Sequence, residues 1–157
     1  MAGFLRKSLI ILAGAFATSE IKIEEFPLRI NLWELACYSP IVKFDTTPLA
    51  GRIVGNARGF LNGCRILTEV DLSGLRGITI IGDYFLYGCS ALVTVRGMGG
   101  LAQVVEVGRS FLAESSSLVE CDLGQMMSLK KVGDDFLSGS ALEQSGAKIV
   151  EEIMAAN

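Results

Sequence analysis

The 157-residue chain contains no histidine. That absence removes the usual general base near neutral pH, the Ser-His and Cys-His nucleophile pairs, and the commonest metal ligand. Proline occurs three times against eighteen glycines, a balance that suits short strands and repeated tight corners better than a bundle of long helices. Basic residues do not dominate: 14 Lys and Arg stand against 17 Asp and Glu, so the chain lacks the footprint of a nucleic-acid binder. The apolar run near the N-terminus, ten residues from Ser8, is too short to span a membrane. Cysteine is present four times without a Cys-x-x-Cys spacing, which with no histidine leaves a zinc site without its ligands.

What the chain does contain is a period. "FLNGCRILTEVDL" begins at Phe60, "FLYGCSALVTVRGM" at Phe85, "FLAESSSLVECDL" at Phe111 and "FLSGSALEQ" at Phe136, at spacings of 25, 26 and 25 residues. Between them run "SGLRGITIIGDY", "GGLAQVVEVGRS" and "GQMMSLKKVGDD", whose glycines Gly82, Gly108 and Gly133 fall three residues before the next phenylalanine. A worn earlier copy is traced through Ile41, Phe44, Thr46 and Leu49, which carry the spacing of Leu67, Val70, Leu72 and Leu75. Residues 34–146 therefore read as four repeats and a truncated fifth. A period of this length is the signature of a stacked architecture, because no single unit can bury its own apolar face.

Within each unit, "LTEVDL" alternates as a short strand with Val70 and Leu72 inward and Glu69 and Asp71 outward. "ITIIG" and "VVEVG" read as a second extended segment ended by a glycine able to take positive φ. Phe-Leu-x-Gly-Cys then crosses back over the core. With these residues in view, "ITIIGDYFLYGCSALVTV" resembles the BspA-like, or Treponema-type, leucine-rich repeats and similar arrays in protozoan surface proteins. Those units read Ile-Gly-x-x-Ala-Phe-x-x-Cys-x-x-Leu; here Leu86 takes the place of the phenylalanine and Phe85 that of the alanine. The resemblance implies an α/β or mainly-β fold, a right-handed leucine-rich-repeat solenoid with parallel strands, 25–26-residue repeats and terminal caps. It is specific for repeat class and weak for function, since such arrays serve adhesion, display and partner binding alike.

Departures from the pattern carry their own expectations. Glu114 and Ser115 replace Gly-Cys in the third copy and Ser140 stands at the cysteine position of the fourth; these units stack if serine finds a backbone hydrogen bond. The extra residue of the second copy, in "RGMGG" from Arg96 to Gly100, predicts a β-bulge. Cys37, Cys64 and Cys89 occupy about one repeat position and read as a reduced, buried ladder rather than a disulfide, while Cys121 aligns with Val70 and Val95 in the core. "RGMGGL" reads as a turn rather than a phosphate loop, and Asp134 and Asp135 beside Gly133 as a solvated turn rather than a cation site.

Each end admits two readings. In residues 1–33, Arg6 and Lys7 precede the apolar run and Ala15-Phe16-Ala17 fits a small-x-small cleavage site, the layout of a secretory signal. Alternatively "GFLRKS", Gly3 to Ser8, opens like a repeat and the segment caps the stack. The first reading places the protein outside the cell or on its surface, the second inside. Ile21, Ile23, Leu28, Ile30 and Leu32 alternate like edge strands, with Trp33 as cap packing. Residues 147–157 read as a C-terminal capping helix with Ile149, Val150, Ile153 and Met154 on one face.

Stacking the strands lines up their outward residues: Lys43 and Asp45, Glu69 and Asp71, Thr94 and Arg96, Glu120 and Asp122. This mostly acidic row is the candidate binding face, favouring a protein partner with basic or mixed charge over nucleic acid. The expectation is a non-enzymatic binding module needing no cofactor or metal, with reversal of Glu69 and Asp71 leaving the fold intact. The alternative is a structural or self-assembling fragment of a longer surface repeat protein, associating through its open ends.

Overall fold

The computed structural model describes residues 29–33 and 37–157. The signal-like stretch 1–17 and the apolar positions Ile21, Ile23 and Leu28 lie outside them. In chain order the strands are β1 (Ile30–Asn31), β2 (Lys43–Asp45), β3 (Ile53–Val54), β4 (Glu69–Asp71), β5 (Ile80–Ile81), β6 (Thr94–Arg96), β7 (Glu106–Val107), β8 (Glu120–Cys121) and β9 (Lys131–Val132), followed by helix α1 (Glu143–Ala156). All strand pairs are parallel. One sheet has the order β2-β4-β6-β8, a second β5-β7-β9, and β1 pairs β3. Neighbours in the two longer sheets are 25–26 residues apart, so Phe44, Val70, Val95 and Cys121 stand in one row.

The alternation read from "LTEVDL" is the alternation found: Val70 and Leu72 are fully buried and Glu69 and Asp71 partly exposed. After each strand of the four-stranded sheet the chain makes one 3₁₀ turn, at Thr47–Leu49, Ser73–Leu75, Met98–Leu101 and Leu123–Gln125. The buried Thr46 in the worn copy is satisfied, since its hydroxyl donates to Asp71 O at 2.8 Å and accepts from Gly74 N–H at 2.9 Å. No β-bulge forms at "RGMGG". The strand β6 pairs in unbroken register with β4, and the extra residue is absorbed by a left-handed Gly97 and a four-residue 3₁₀ turn.

The Phe-Leu-x-Gly corner has a backbone that leucine rarely adopts. Leu61, Leu86, Leu112 and Leu137 have φ of 55°, 53°, 52° and 58°, and the left-handed residues recur at every second position: Tyr84 and Gly88 about Leu86, Ser110 and Glu114 about Leu112, Asp135 and Gly139 about Leu137. Each left-handed non-glycine residue costs roughly 1 kcal/mol or more. The cost is offset because the leucines are buried and their N–H groups are bonded: Leu86 donates to Phe60 O, Leu112 to Phe85 O and Leu137 to Phe111 O, at 2.9, 2.9 and 3.0 Å. Tyr84 and Gly88 donate the other way, to Arg109 O and Ala113 O, both at 2.9 Å. The N–H groups of successive left-handed residues thus point alternately to the segments on either side, while Tyr87 N–H between them bonds locally to Tyr84 O. The phenylalanines stack behind the corner, with centroids of Phe60, Phe85, Phe111 and Phe136 separated by 5.4, 5.4 and 5.3 Å.

Gly82, Gly108 and Gly133 are required for a different reason from the one expected. Their φ is not positive; each lies where the preceding copy passes too close for a side chain. A Cβ on Gly108 would stand 2.7 Å from Asp83 N, and one on Gly133 2.5 Å from Arg109 N.

Helix α1 begins at Glu143, four residues ahead of the expected segment 147–157, inside the truncated fifth copy. After Leu142 that copy makes no strand, and the Glu143 carboxylate accepts the N–H of left-handed Gly139 at 3.0 Å. Gly146 and Val150 are buried and Ile153 and Met154 half-buried, so this line faces the core, while Ile149 lies towards solvent. Gly146 approaches the side chains of Leu123 and Leu137, and Asn157 Nδ2 donates to Met127 O at 2.8 Å.

Gly88→Ala, which has room for a methyl but not the backbone for it, will cost about 1 kcal/mol. Gly108→Ala, which meets backbone, will cost about 3 kcal/mol. Glu114→Gly, at φ of 58°, will gain several tenths of a kcal/mol. Urea midpoints at unchanged slope test the ranking, and an Ala at Gly88 as costly as one at Gly108 would contradict it.

Candidate protein-binding face

The registers place the expected residues in line. Lys43, Glu69, Thr94 and Glu120 form one row across the four-stranded sheet, and Asp45, Asp71 and Arg96 another, with Asp122 immediately after β8. Five of these eight residues are acidic and two basic, but the charge is unevenly distributed. Glu69 is shared by Lys43 Nζ at 3.5 Å and Arg96 Nε at 3.6 Å. Such half-exposed pairs contribute at most about 1 kcal/mol, yet they neutralise the middle of the face. Among the described residues Asp45, Asp71, Glu120 and Asp122 have no ion-pair partner, so the face keeps an acidic balance; Glu120 accepts only from Thr94 Oγ1, at 3.2 Å.

The aspartates are also structural. Asp45 Oδ1 accepts Thr47 N–H and Asp71 Oδ1 accepts Ser73 N–H, both at 2.8 Å, holding the turn from strand into 3₁₀ segment. Reversing Glu69 and Asp71 together therefore also removes the Asp71–Ser73 turn bond and two ion pairs, a local cost that a test of binding would carry with it. Glu120 is the cleaner position to change.

A second feature was missed in the sequence. Val42, Thr68, Val93 and Val119, each just before a strand of this sheet, are joined in a row by Thr68 N–H to Val42 O, Val93 N–H to Thr68 O and Val119 N–H to Val93 O, at 2.8, 2.9 and 2.9 Å. The valines are 50%, 41% and 69% exposed. A β-branched, solvent-facing stripe thus runs beside the charged row. Its signal was legible, since all four aligned positions are β-branched, but alternation assigned inside and outside only within the strands.

The thiols are not poised for chemistry. Cys37 Sγ donates to Gly59 O at 2.9 Å and Cys89 Sγ to Leu61 O at 3.2 Å, and Ser115 Oγ does the same to Leu86 O at 3.4 Å. That shared bond explains how serine replaces cysteine. Ser140 differs, its Oγ accepting Leu142 N–H at 3.2 Å. None of the four cysteines is in a disulfide. Burial pushes the Cys64 thiol up, and carries Cys89 and Cys121 to about 12, helped at Cys121 by the Asp122 charge. Nucleophilic cysteines are shifted the opposite way. Cys121 pairs with Val95 in register as expected, but it is half-buried against the core rather than within it.

Among the described residues no three His, Cys, Asp or Glu side chains gather as a metal site, and no helix is long and apolar enough to cross a membrane. Asp134 and Asp135 are exposed, and Asp134 pairs with Arg109 at 3.8 Å. Trp33, expected to pack in a cap, is 56% exposed; the residue buried there is its neighbour Leu32. Comparison with known proteins finds no protein-family profile, no curated protein and no solved structure that matches this chain.

The raised thiols make stability fall in alkali. Above about pH 8.5 an unfolded chain releases thiol protons that the folded chain holds until about 12, so folding weakens as pH rises through that window. The double variant Cys89→Ser, Cys121→Val will lose less of its urea midpoint between neutral pH and about pH 10 than the parent. Equal losses would show that these thiols do not titrate as described.

Proposed function

We propose that this chain is a non-enzymatic binding module, a right-handed leucine-rich-repeat solenoid of the BspA-like kind that presents the β2-β4-β6-β8 face to a protein. Parallel pairing at 25–26-residue intervals in two sheets supports the architecture. So does the right-handed connection strongly preferred between parallel strands of one sheet. The observation that carries the function is the juxtaposition of the exposed Val42-Val93-Val119 stripe with rows whose unpaired charge, at Asp45, Asp71, Glu120 and Asp122, is negative. Exposed apolar surface rimmed by polar groups marks interaction sites.

The partner segment that fits presents apolar side chains beside Lys or Arg. The face is rigid, since each strand is fixed by its neighbours, so association orders little backbone here and affinity rests on a few central side chains. Nucleic acid is disfavoured, because its phosphates would meet Glu120 and Asp122.

A structural role is the second reading, favoured by the strands at the sheet ends. β8 and β9 each have one strand neighbour, so a further copy of the unit or a second chain has edges to extend. Helix α1 opposes this by occupying the core beside Leu123 and Leu137. Light scattering across a dilution series separates the two: the binding module stays monomeric, whereas an assembling unit gains mass with concentration.

Selection of a random peptide library on the full chain, with Val119→Arg and Glu120→Lys as counter-targets, tests the face. Peptides combining basic and aliphatic residues will be enriched, and each substitution will weaken them about tenfold or more. Selected peptides that bind parent and both variants equally would sink the proposal.

A further inference from the structure

We propose that the groove between β3 and β5 is a carbohydrate site in which Trp33 is the platform for a pyranose ring. The groove arises where strand pairing is interrupted. β3 pairs with β1 and β5 with β7, and the bond that joins the β3 and β5 segments, Gly82 N–H to Asn56 O at 2.6 Å, comes only after both strands have ended. The space left open is about 610 Å³, the scale of a small-molecule site.

Its walls select the ligand class. Trp33 is exposed, as is Ile80, and with Val54 they supply apolar surface of the kind that the C–H face of a sugar covers. Asn31, Asn56 and Thr79 supply polar groups. Both asparagines are fixed, because Asn31 Oδ1 accepts Trp33 N–H at 2.9 Å and Asn56 Oδ1 accepts Arg58 N–H at 3.2 Å. Those bonds use the amide oxygens and leave the Nδ2 donors without a protein partner among the described residues, free for hydroxyl oxygens. They also set the indole and Arg58 as a pair, with the guanidinium carbon 6.0 Å from the ring centroid.

Among the described residues the groove's own lining is uncharged and the nearest charge is the Arg58 guanidinium beside the indole, so an amine would be desolvated there without a counter-charge and an anion would meet a single cation at one edge. An uncharged ring with one apolar face and several hydroxyls matches every wall. None of the lining residues belongs to the β2-β4-β6-β8 face, so this site is independent of the protein-binding proposal.

Trp33 is the chain's single tryptophan, so its emission reports on this groove alone. The full chain is titrated with methyl β-glucoside, methyl β-galactoside, methyl α-mannoside and chitotriose while Trp33 fluorescence is followed. The expected result is a saturable change with at least one probe at a millimolar or tighter constant. Ile80→Arg and Thr79→Lys, at exposed positions on the groove wall, will each weaken it about tenfold or more. Two variants keep the test sound if one of them unfolds. No saturable change with any probe up to about 50 mM, or an unchanged response in the folded variants, overturns the proposal.

Discussion

The structure depends on a corner at which the backbone changes hand at every second residue. A parallel array must turn its chain sharply and still bond each copy to the copies on both sides. Extended backbone does this along a strand, where successive N–H groups point to opposite neighbours. At the corner, left-handed Tyr84, Leu86 and Gly88 keep that two-way bonding while the chain bends, sending N–H groups to Arg109, Phe60 and Ala113 in turn. Leucine is a poor residue for this backbone. It is retained because complete burial of Leu61, Leu86, Leu112 and Leu137 returns roughly 2 kcal/mol each, more than the conformation costs. The phenylalanine stack behind them fixes the spacing, and the spacing fixes the register of the face.

From that register the outward chemistry follows. Inward positions of the four-stranded sheet have little freedom: Phe44, Val70, Val95 and Cys121 must each fit the layer above and below. Outward positions meet solvent, and there the copies diverge, from lysine to glutamate to threonine to glutamate in a single row. The proposed recognition role rests on this combination of fixed spacing and free choice of side chain, since the arrangement of charge and methyl groups is set by the strand register. The Glu69 pairs add to this by drawing Lys43 and Arg96 to one carboxylate, which leaves Asp45, Asp71, Glu120 and Asp122 unpaired beside the apolar edge.

Much of this was legible in the sequence, and the failures are physically specific. Period, strand positions, inward residues and the row of eight outward residues all follow from spacing, because each unit obeys the same local pattern. Gly82, Gly108 and Gly133 were misassigned to positive φ, since sequence shows that a side chain is forbidden but not whether backbone conformation or a neighbouring copy forbids it. The left-handed leucines were invisible for the converse reason: tertiary burial overrides a local preference that leucine's identity would have excluded. The bulge at Gly97 failed because an inserted residue relaxes wherever the strain is least, and a glycine before a 3₁₀ turn yields more readily than a paired strand. Helix α1 starts early because Gly146 packs against Leu123 and Leu137, a tertiary contact that the spacing of apolar residues does not reveal.

Regularity also explains where the two surfaces lie. Uninterrupted parallel pairing sets outward side chains in rows on the surface of a sheet. Specific binding then needs either a difference in side chains along a regular face or a break in the stacking itself. The β2-β4-β6-β8 sheet shows the first, with uninterrupted pairing and changing chemistry. The gap between β3 and β5 shows the second: β3 pairs with β1 and β5 with β7, and uncharged polar and aromatic side chains line the opening between them. The same segment that pairs in full register through β2 and β4 thus leaves β3 and β5 unpaired with each other, and the groove lies where the pairing lapses.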